Sequence, residues 1–180
     1  MKFDKVLEGR RTIRRYKNEP VEKDEIKKVL KAASLAPSWK NTECWRWYVV
    51  TEEKLLEELK QNGLAVQNQP KAENVPCLIV AACETGLSGR DQDGEYASNT
   101  IGEGWSYFDT GLAVENLCLE AERLSLGTLI MGIFNEEVVR KMLSIPESQH
   151  ILAVIALGHP DVEPPMPKRR KLKETAVFFE

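Results

Sequence analysis

Hydrophobic and polar positions alternate in two ways along the chain, one typical of amphipathic helices and one typical of buried strands. Apolar residues recur every three to four positions in five segments, which predicts five helices. These helices are predicted to begin near positions 3, 26, 52, 97 and 136. Short apolar runs bounded by polar, glycine or proline residues predict buried strands at 46–51, 77–83, 128–133 and 151–157. No repeat or long linker interrupts this series, so we expect a single domain over residues 1–180.

The order of these elements indicates the fold class. Helical segments long enough for crossover connections separate the predicted strands, so the sequence predicts an α/β or α+β domain with a mixed central sheet. The longest predicted helix, 97–125, carries apolar residues on more than one stripe, and Gly127 is predicted to end it. Such a helix has neighbours on two sides, and we expect one of them to be a second subunit.

The C-terminal segment is predicted to be a docking arm. From Pro160 onward the chain is rich in proline and basic residues, and it ends in an apolar stretch that includes Phe178 and Phe179. Exposed phenylalanines at a chain end are a liability for a monomer. We therefore expect residues 160–180 to exchange with another copy of the chain, which would bury them.

Composition and charge exclude several classes of function. The hydrophobic fraction of 42% and the charged fraction of 29% are typical of folded globular proteins. No apolar run approaches the roughly 20 residues of a membrane helix, and the charged N terminus lacks the apolar region of a secretory signal. The net charge of -3 argues against nucleic acid or an anionic membrane as a partner.

Cysteine and histidine usage restricts the location and the chemistry. The four cysteines lack a CxxC motif, which favours reduced thiols in the cytoplasm. Neither of the two histidines has a partner at ligand spacing, so no metal site is expected. They also lack the sequence signatures of a nucleophile–base pair. Because protein-borne chemistry has little support, we expect a cofactor to carry any reaction.

Two basic clusters lie at opposite ends of the chain. Arg10, Arg11, Thr12 and Arg14 combine guanidinium groups with a hydroxyl at a helix end, and a second cluster follows at 168–171. Arginine pairs with phosphate oxygens in a bidentate manner, so one interpretation is a phosphate-bearing ligand. The alternative is a solvated basic turn and a solubilising tail. Because the chain has no glycine-rich phosphate loop, a phosphate site would need both clusters to converge.

Residues 36–41 form a polar turn before the first predicted strand, with the sequence Ala-Pro-Ser-Trp-Lys-Asn. Its hydroxyl and amide groups could meet a heteroaromatic ring, although the same residues suit a purely structural turn. Gly127 and Gly132 flank the third predicted strand. Glycines in these positions serve either a turn or the close approach of a ligand to the backbone.

Four segments, taken in order, resemble a known family. They are the basic motif at 10–16, the Pro-Ser turn at 36–41 with the strand start at 45–47, the helix at 111–127, and the Leu-Gly-His-Pro segment at 157–160 with the basic cluster beyond it. Their order and spacing resemble the nitroreductase family of flavin mononucleotide (FMN) oxidoreductases over nearly the whole chain. Glu43 and Cys44 depart from the family's common Gln-Pro pair, which bears on the substrate rather than on flavin binding.

The resemblance implies roles for the N-terminal cluster. Arg10 and Thr12 would bind the flavin phosphate and ribityl chain, with Arg11 among the cofactor-binding residues. Arg14 would lie near N1 and the C2 carbonyl of the ring, where a fixed cation stabilises the negative charge that reduction leaves. Arg169, with Lys168 or Arg170, would return to the phosphate.

The resemblance also implies roles for the Pro-Ser turn and for the third strand. Ser38 and Asn41 would reach the flavin from the opposite subunit, with Pro37 and Trp39 beside them. The backbone at Met131 and Gly132 would face the ring near N5. Some members carry an acidic residue where Met131 stands, which again leaves the substrate open.

The implied fold is α+β, with a mixed sheet flanked by helices, and residues 175–179 would add a strand to the partner's sheet in a homodimer. The implied reaction is ping-pong: NADH or NADPH gives hydride to flavin N5 and leaves, and an electron-poor small molecule such as a nitroaromatic or quinone then takes it. A flavin-binding sensor or carrier without turnover is the alternative, because no protein acid or base is evident. Nucleic-acid binding through the basic ends is a third hypothesis, which the acidic pI opposes.

Overall fold

One four-stranded sheet flanked by helices forms the protein, as seen in a computed structural model that describes residues 2–91, 93–96 and 100–180. The strands are β1 (Trp45–Val50), β2 (Cys77–Glu84), β3 (Gly127–Met131) and β4 (Gln149–Gly158). The α-helices are α1 (Phe3–Gly9), α2 (Lys23–Ala33), α3 (Glu53–Glu58), α4 (Gly104–Arg123) and α5 (Glu136–Leu143). The predicted strands and helices are therefore confirmed in type and order, although several ends differ.

The strands lie in the order β1-β2-β4-β3, and every neighbouring pair runs antiparallel. The predicted α+β class is confirmed. Among the described residues, the parallel pairing expected of a mixed sheet occurs at an isolated bridge between Thr12 and Thr128. Strands that are buried on both faces are apolar throughout, so their sequence pattern does not reveal the direction of their neighbours.

Helices cover both faces of the sheet because successive side chains of a strand point to opposite sides. In β2, Ile79 and Ala81 belong to the core formed with α2 and α4. Leu78 and Val80 belong to the other core, formed with α3 and α5. Burial on both faces explains why β2 is one continuous apolar run.

The central helix α4 begins later than predicted. It starts at Gly104, and residues 100–103 form a turn in which Gly102 has a φ of 53°. Positions 97–99 of the predicted helix lie outside the described residues. The left-handed conformation at Gly102 cannot continue a right-handed helix, which accounts for the shift. Within the described segments, no helix is long and apolar enough to cross a bilayer.

The end of α4 also differs from the prediction. Ser125 takes the left-handed conformation that ends the helix, with a φ of 61°. Next to it, the N–H of Leu126 donates to the carbonyl of Ala121 at 2.8 Å. The prediction that Gly127 ends the helix is therefore wrong, because Gly127 is the first residue of β3.

The two shorter helices after β1 and β3 have side-chain caps. The carboxylate of Glu52 accepts from the N–H groups of Lys54 and Leu55 at the start of α3. The predicted helix 52–61 then divides into α3 and a π-helical turn, Leu59–Gly63. Asn135 caps α5, since its side chain accepts from the N–H of Val138 at 3.3 Å.

The C-terminal arm, residues 160–180, contains no strand within the single chain, and its regular element is a 3-10 turn, Leu172–Glu174. Phe178 and Phe179 are 69% and 95% exposed. Strand β1 lies at an edge of the sheet, and its outer side pairs with no strand of the described residues. Pairing of residues 175–179 with a partner's sheet stays a prediction. The exposed arm and the open edge of β1 are the two features that such pairing would need.

Candidate functional site

The backbone that follows α1 is attached to the edge of the sheet. The N–H of Ile13 donates to the carbonyl of Thr128 at 2.9 Å, next to the Thr12–Thr128 bridge. A Cβ at Gly127 would lie 2.5 Å from Cγ1 of Ile13, closer than real side chains approach. Gly127 therefore allows Thr12 and Ile13 to dock against β3.

The two basic ends of the chain meet at one cavity of about 290 Å³. Its lining comes partly from the segment after α1 and partly from the C-terminal arm. The lining residues are Arg10, Arg11, Thr12, Arg14, Pro164, Pro165, Pro167 and Arg169. Residues more than 150 positions apart in sequence thus face the same space.

Positive charge in this cavity is only partly compensated. Nε of Arg10 lies 3.6 Å from Oε1 of Glu115 on α4. Arg14 and Arg169 form no ion pair with any carboxylate in the described part of the chain. Several guanidinium groups and a threonine hydroxyl around one cavity form a donor set that suits a dianion such as a phosphate.

A second carboxylate of α4 lies close to this segment. Glu122 is half-buried beside Gly9, with its Oε1 next to the position that a Cβ of Gly9 would take. Burial raises the pKa of Glu122, and the nearby Arg11 and Arg10 lower it by less. Burial thus works against a full negative charge beside the arginines.

Arg11 has a different environment from its neighbours. Its Nη1 donates to the carbonyls of Glu8, Gly9 and Arg10 at 2.5, 3.2 and 2.9 Å. These acceptors lie where α1 ends, a place where carbonyls lack helical partners and a cation is favourable. Nε of Arg11 is buried and has no hydrogen-bond partner among the described residues. Arg11 therefore holds the turn that presents Arg10 and Thr12, and one of its donors remains unused.

Arg170 lies outside this cavity. It shares a neighbouring hollow of about 380 Å³ on the exposed arm with Lys168, Arg169, Lys171 and Glu174. Of the basic residues considered for the return to the phosphate, Arg169 is the one that faces the N-terminal arginines. The geometry therefore favours Arg169 over Lys168 and Arg170.

The Pro-Ser loop, defined here as residues 37–43, is held to the rest of the chain through Trp39, through a hydrogen bond between Thr42 and Ser88, and through an ion pair between Lys40 and Asp91. The backbone N–H of Trp39 donates to Oδ2 of Asp109 on α4 at 2.9 Å. The indole Nε1 of Trp39 donates to the carbonyl of Arg90 at 2.8 Å. The side chain of Trp39 is thus used within its own chain, as a structural turn requires.

Three non-glycine residues of the Pro-Ser loop adopt the left-handed backbone conformation. The φ angles of Lys40, Asn41 and Glu43 are 46°, 56° and 48°. Each such residue costs on the order of 1 kcal/mol, and strain of this kind persists where the surroundings impose it and clusters at functional sites. The loop is therefore pre-formed at an energetic cost.

Two polar groups of the loop remain available. Oγ of Ser38 accepts from the N–H of Glu43 at 3.0 Å, which leaves the hydroxyl proton free to donate. Asn41 is exposed, with its Nδ2 at 3.4 Å from Oε1 of Glu43, and Pro37 is exposed beside them. The loop thus presents hydrogen-bonding groups outward.

A single chain does not bring the Pro-Ser loop into the arginine cavity. The loop contacts α4 at Asp109, whereas Arg10 contacts it at Glu115, about 9 Å further along the helix axis. Neither Ser38 nor Asn41 lines the cavity that holds Arg10. Within one chain, the Pro-Ser loop and the arginine cavity are therefore separate sets of polar groups.

The end of β3 exposes its backbone. Met131 is buried and pairs with Val154 of β4, so its side chain belongs to the core. A Cβ at Gly132 would have no atom within 4 Å. The flanking Ile130 and Ile133 are 48% and 61% exposed. A flat ligand could therefore approach the backbone at Gly132 closely.

Sequence reasoning overlooked the role of α4 in positioning the Pro-Ser loop. Ser106, Asp109 and Thr110 are buried polar residues at helical spacing within an apolar helix. This polar stripe is the sequence signal that could have identified Asp109. The contact between Trp39 and the carbonyl of Arg90 has no sequence signal, since any residue at position 90 would supply a backbone carbonyl.

The thiols lack the environment of reactive groups. All four cysteines are free and buried. Burial raises the pKa of Cys77 to about 12. Burial is also the largest of the causes that raise the pKa of Cys83 to about 12. Across the described ranges, no group of three or more histidine, cysteine, aspartate or glutamate side chains could hold a metal ion.

Comparisons with known proteins identify a family for the chain. A model of the nitroreductase family matches residues 7–159. An Archaeoglobus fulgidus protein, named provisionally as an NADH dehydrogenase/NAD(P)H nitroreductase, is 31% identical over 163 residues, 88% of this chain and 86% of that protein. A nitroreductase family protein from Clostridium novyi superposes with a TM-score of 0.75 at 26% identity, over 89% of this chain and 86% of that one.

A further solved structure is a complex with FMN. This protein from Exiguobacterium sibiricum, provisionally a nitroreductase in complex with FMN, has a TM-score of 0.86 at 21% identity, over 99% of this chain and 98% of its own. At that identity the likeness concerns the fold. The family match covers most of the chain and agrees with a relative above 30% identity. This chain therefore belongs to the nitroreductase family.

Proposed function

We propose that the chain is an FMN-dependent oxidoreductase that uses NADH or NADPH to reduce an electron-poor small molecule, such as a nitroaromatic or a quinone. The observation that carries the proposal is the convergence of Arg10, Thr12, Arg14 and Arg169 on one cavity. Family membership and the names of the relatives support it, since they include an NAD(P)H nitroreductase and an FMN complex.

The residues around the cavity fit a flavin phosphate. Arg10, Thr12 and Arg169 would hold the phosphate, because they offer donors and positive charge that the chain leaves partly uncompensated. The unused, buried Nε of Arg11 would supply one more donor. Arg14 would place a fixed cation near the N1 edge of the ring and favour the added electron density there.

When bound, FMN would supply the chemistry, because its N5 accepts hydride from the nicotinamide donor and passes it to the acceptor. The chain's own contribution is to bind, orient and expose one face of the ring beside the open backbone at Gly132. Donor and acceptor would use this face in turn, which is a ping-pong order.

We further propose that the site forms in a homodimer. Ser38 and Asn41 would come from the partner, since they do not line the arginine cavity of their own chain. The exposed Tyr107 and Phe108 of α4 and the arm supply apolar surface for such contact. The buried free thiols suit a reducing compartment, so a cytoplasmic location stays our prediction.

The test is a flavin titration followed by anaerobic mixing with NADH and NADPH. We expect FMN to bind at least about tenfold more tightly than riboflavin, which lacks the phosphate that the arginines would pair with. We also expect the donor to bleach the flavin and a quinone to restore its colour. Absence of FMN binding would overturn the proposal, and binding without bleaching would indicate a flavin carrier instead.

A further inference from the structure

We propose that Asp109 is a positioning residue that holds the Pro-Ser loop in the shape needed to complete the flavin site of the partner subunit. The proposal rests on the proposed function. Asp109 is 2% exposed, and its Oδ2 accepts from the backbone N–H of Trp39 at 2.9 Å. A buried carboxylate is costly unless it is hydrogen-bonded, so this contact restrains both partners.

Asp109 acts on the loop at its best-anchored residue. The indole of Trp39 donates to the carbonyl of Arg90 at 2.8 Å and stacks at a tilt on Trp105, with 4.9 Å between the ring centroids. The contact from Asp109 adds the backbone to these side-chain anchors. Trp39 is therefore fixed in position and in orientation, and this restrains the backbone of the residues next to it.

Ser38 and Asn41 lie within two residues of Trp39, and both are proposed to contact the flavin. Lys40 and Asn41, immediately after Trp39, have φ angles of 46° and 56°. A free chain would leave this conformation, because left-handed residues other than glycine are strained. Loss of Asp109 would remove the restraint on the backbone of Trp39 while the indole keeps its own anchors. The backbone could then turn about the indole, and Ser38 and Asn41 would move from their present positions.

The first experiment compares substitutions of Asp109 in the full-length protein. Asp109→Leu keeps the helix and the branched shape of the side chain, although leucine is larger, and it accepts no hydrogen bond. The dissociation constant of FMN should therefore rise by about tenfold or more. Asp109→Asn retains an acceptor oxygen and should restore most of the affinity. Asp109→Ala provides a second variant without an acceptor in case the leucine does not fold.

A matched control separates positioning from general stability. Val29 is fully buried in α2 and belongs to neither the loop nor the lining of the arginine cavity, so Val29→Ala should lower the melting temperature and leave FMN affinity unchanged. If FMN affinity falls equally in Val29→Ala and Asp109→Leu, Asp109 has only a structural role. If affinity is unchanged in Asp109→Leu, the inference is wrong.

Mixed dimers test whether Asp109 serves the partner's site. One subunit carries Asp109→Leu and the other carries Arg10→Ala, and the two are purified by different tags. If the loop acts across the interface, one site receives both changes and the other receives none, so one FMN binds per dimer with the affinity of the unaltered protein. If Asp109 acts on its own chain's site, each site carries one change and both bind weakly.

The outcomes separate this inference from the proposed function. An unaltered protein that fails to bind FMN removes the proposed function and the inference together. An unaltered protein that binds FMN, with two weak sites in the mixed dimer, leaves the function in place and overturns the role of Asp109 in the partner's site.

Discussion

At the scale of single residues, identical side chains differ in their surroundings. Arg10 pairs loosely with Glu115, and Arg14 faces the cavity with no carboxylate partner of the described residues. Arg11 donates to the last carbonyls of α1. Sequence alone treats the three as one basic cluster, because the direction of each side chain depends on the turn after α1 and on its neighbours in space.

The first prediction concerns Arg10. Arg10→Ala should raise the dissociation constant of FMN by about tenfold or more, since a charge-assisted hydrogen bond contributes about 1.5–3 kcal/mol. Arg15→Ala is the matched control, because Arg15 pairs with Asp161 at 3.0 Å and does not line the cavity. Fluorescence titration measures both. Equal affinities for the two variants would contradict the role given to Arg10.

At the scale of elements, the hydrophobic period predicted which helices and strands form and in which order. Local backbone conformation decided where each of them begins and ends. The start of α4 depends on the left-handed Gly102, and its end on Ser125 rather than on the more obvious Gly127. The sequence did not predict that β1, β2 and β4 pair antiparallel, because a strand buried on both faces is apolar in parallel and antiparallel sheets alike.

The second prediction concerns the two glycines that flank β3. Gly127→Ala should lower the free energy of unfolding by about 1–3 kcal/mol, because the new Cβ would overlap Ile13 and strain the core. Gly132→Ala has open space around it and should change that free energy by less than about 0.5 kcal/mol. Urea denaturation without flavin measures both, and equal losses would contradict the tight packing at Gly127.

At the scale of the whole molecule, the single chain leaves several surfaces uncovered. Phe178 and Phe179 of the arm are exposed, and the outer side of β1 has no strand partner among the described residues. Ser38 does not line the arginine cavity of its own chain. A homodimer that exchanges arms would cover these surfaces and unite the two halves of the site.

The third prediction concerns assembly. The protein should sediment as a dimer of about twice 20.4 kDa, and a variant with Val177, Phe178 and Phe179 changed to serine should dissociate more readily and bind FMN less tightly. Val66→Ser is the control, since Val66 is also exposed, at 77%, but lies outside the arm. A monomer that binds FMN at full affinity would contradict the shared site.

The sequence by itself limited the class to α/β or α+β and determined the order of the elements and the candidate site residues, because hydrophobic period and residue chemistry are local properties. Only the tertiary structure decided which candidates meet. It brought Arg169 and Arg10 to the lining of one cavity and joined the Pro-Ser loop to Asp109. It also directed the guanidinium of Arg11 to the carbonyls at the end of α1. Such contacts arise from the packing of segments distant in sequence, and no local pattern encodes the distance between them.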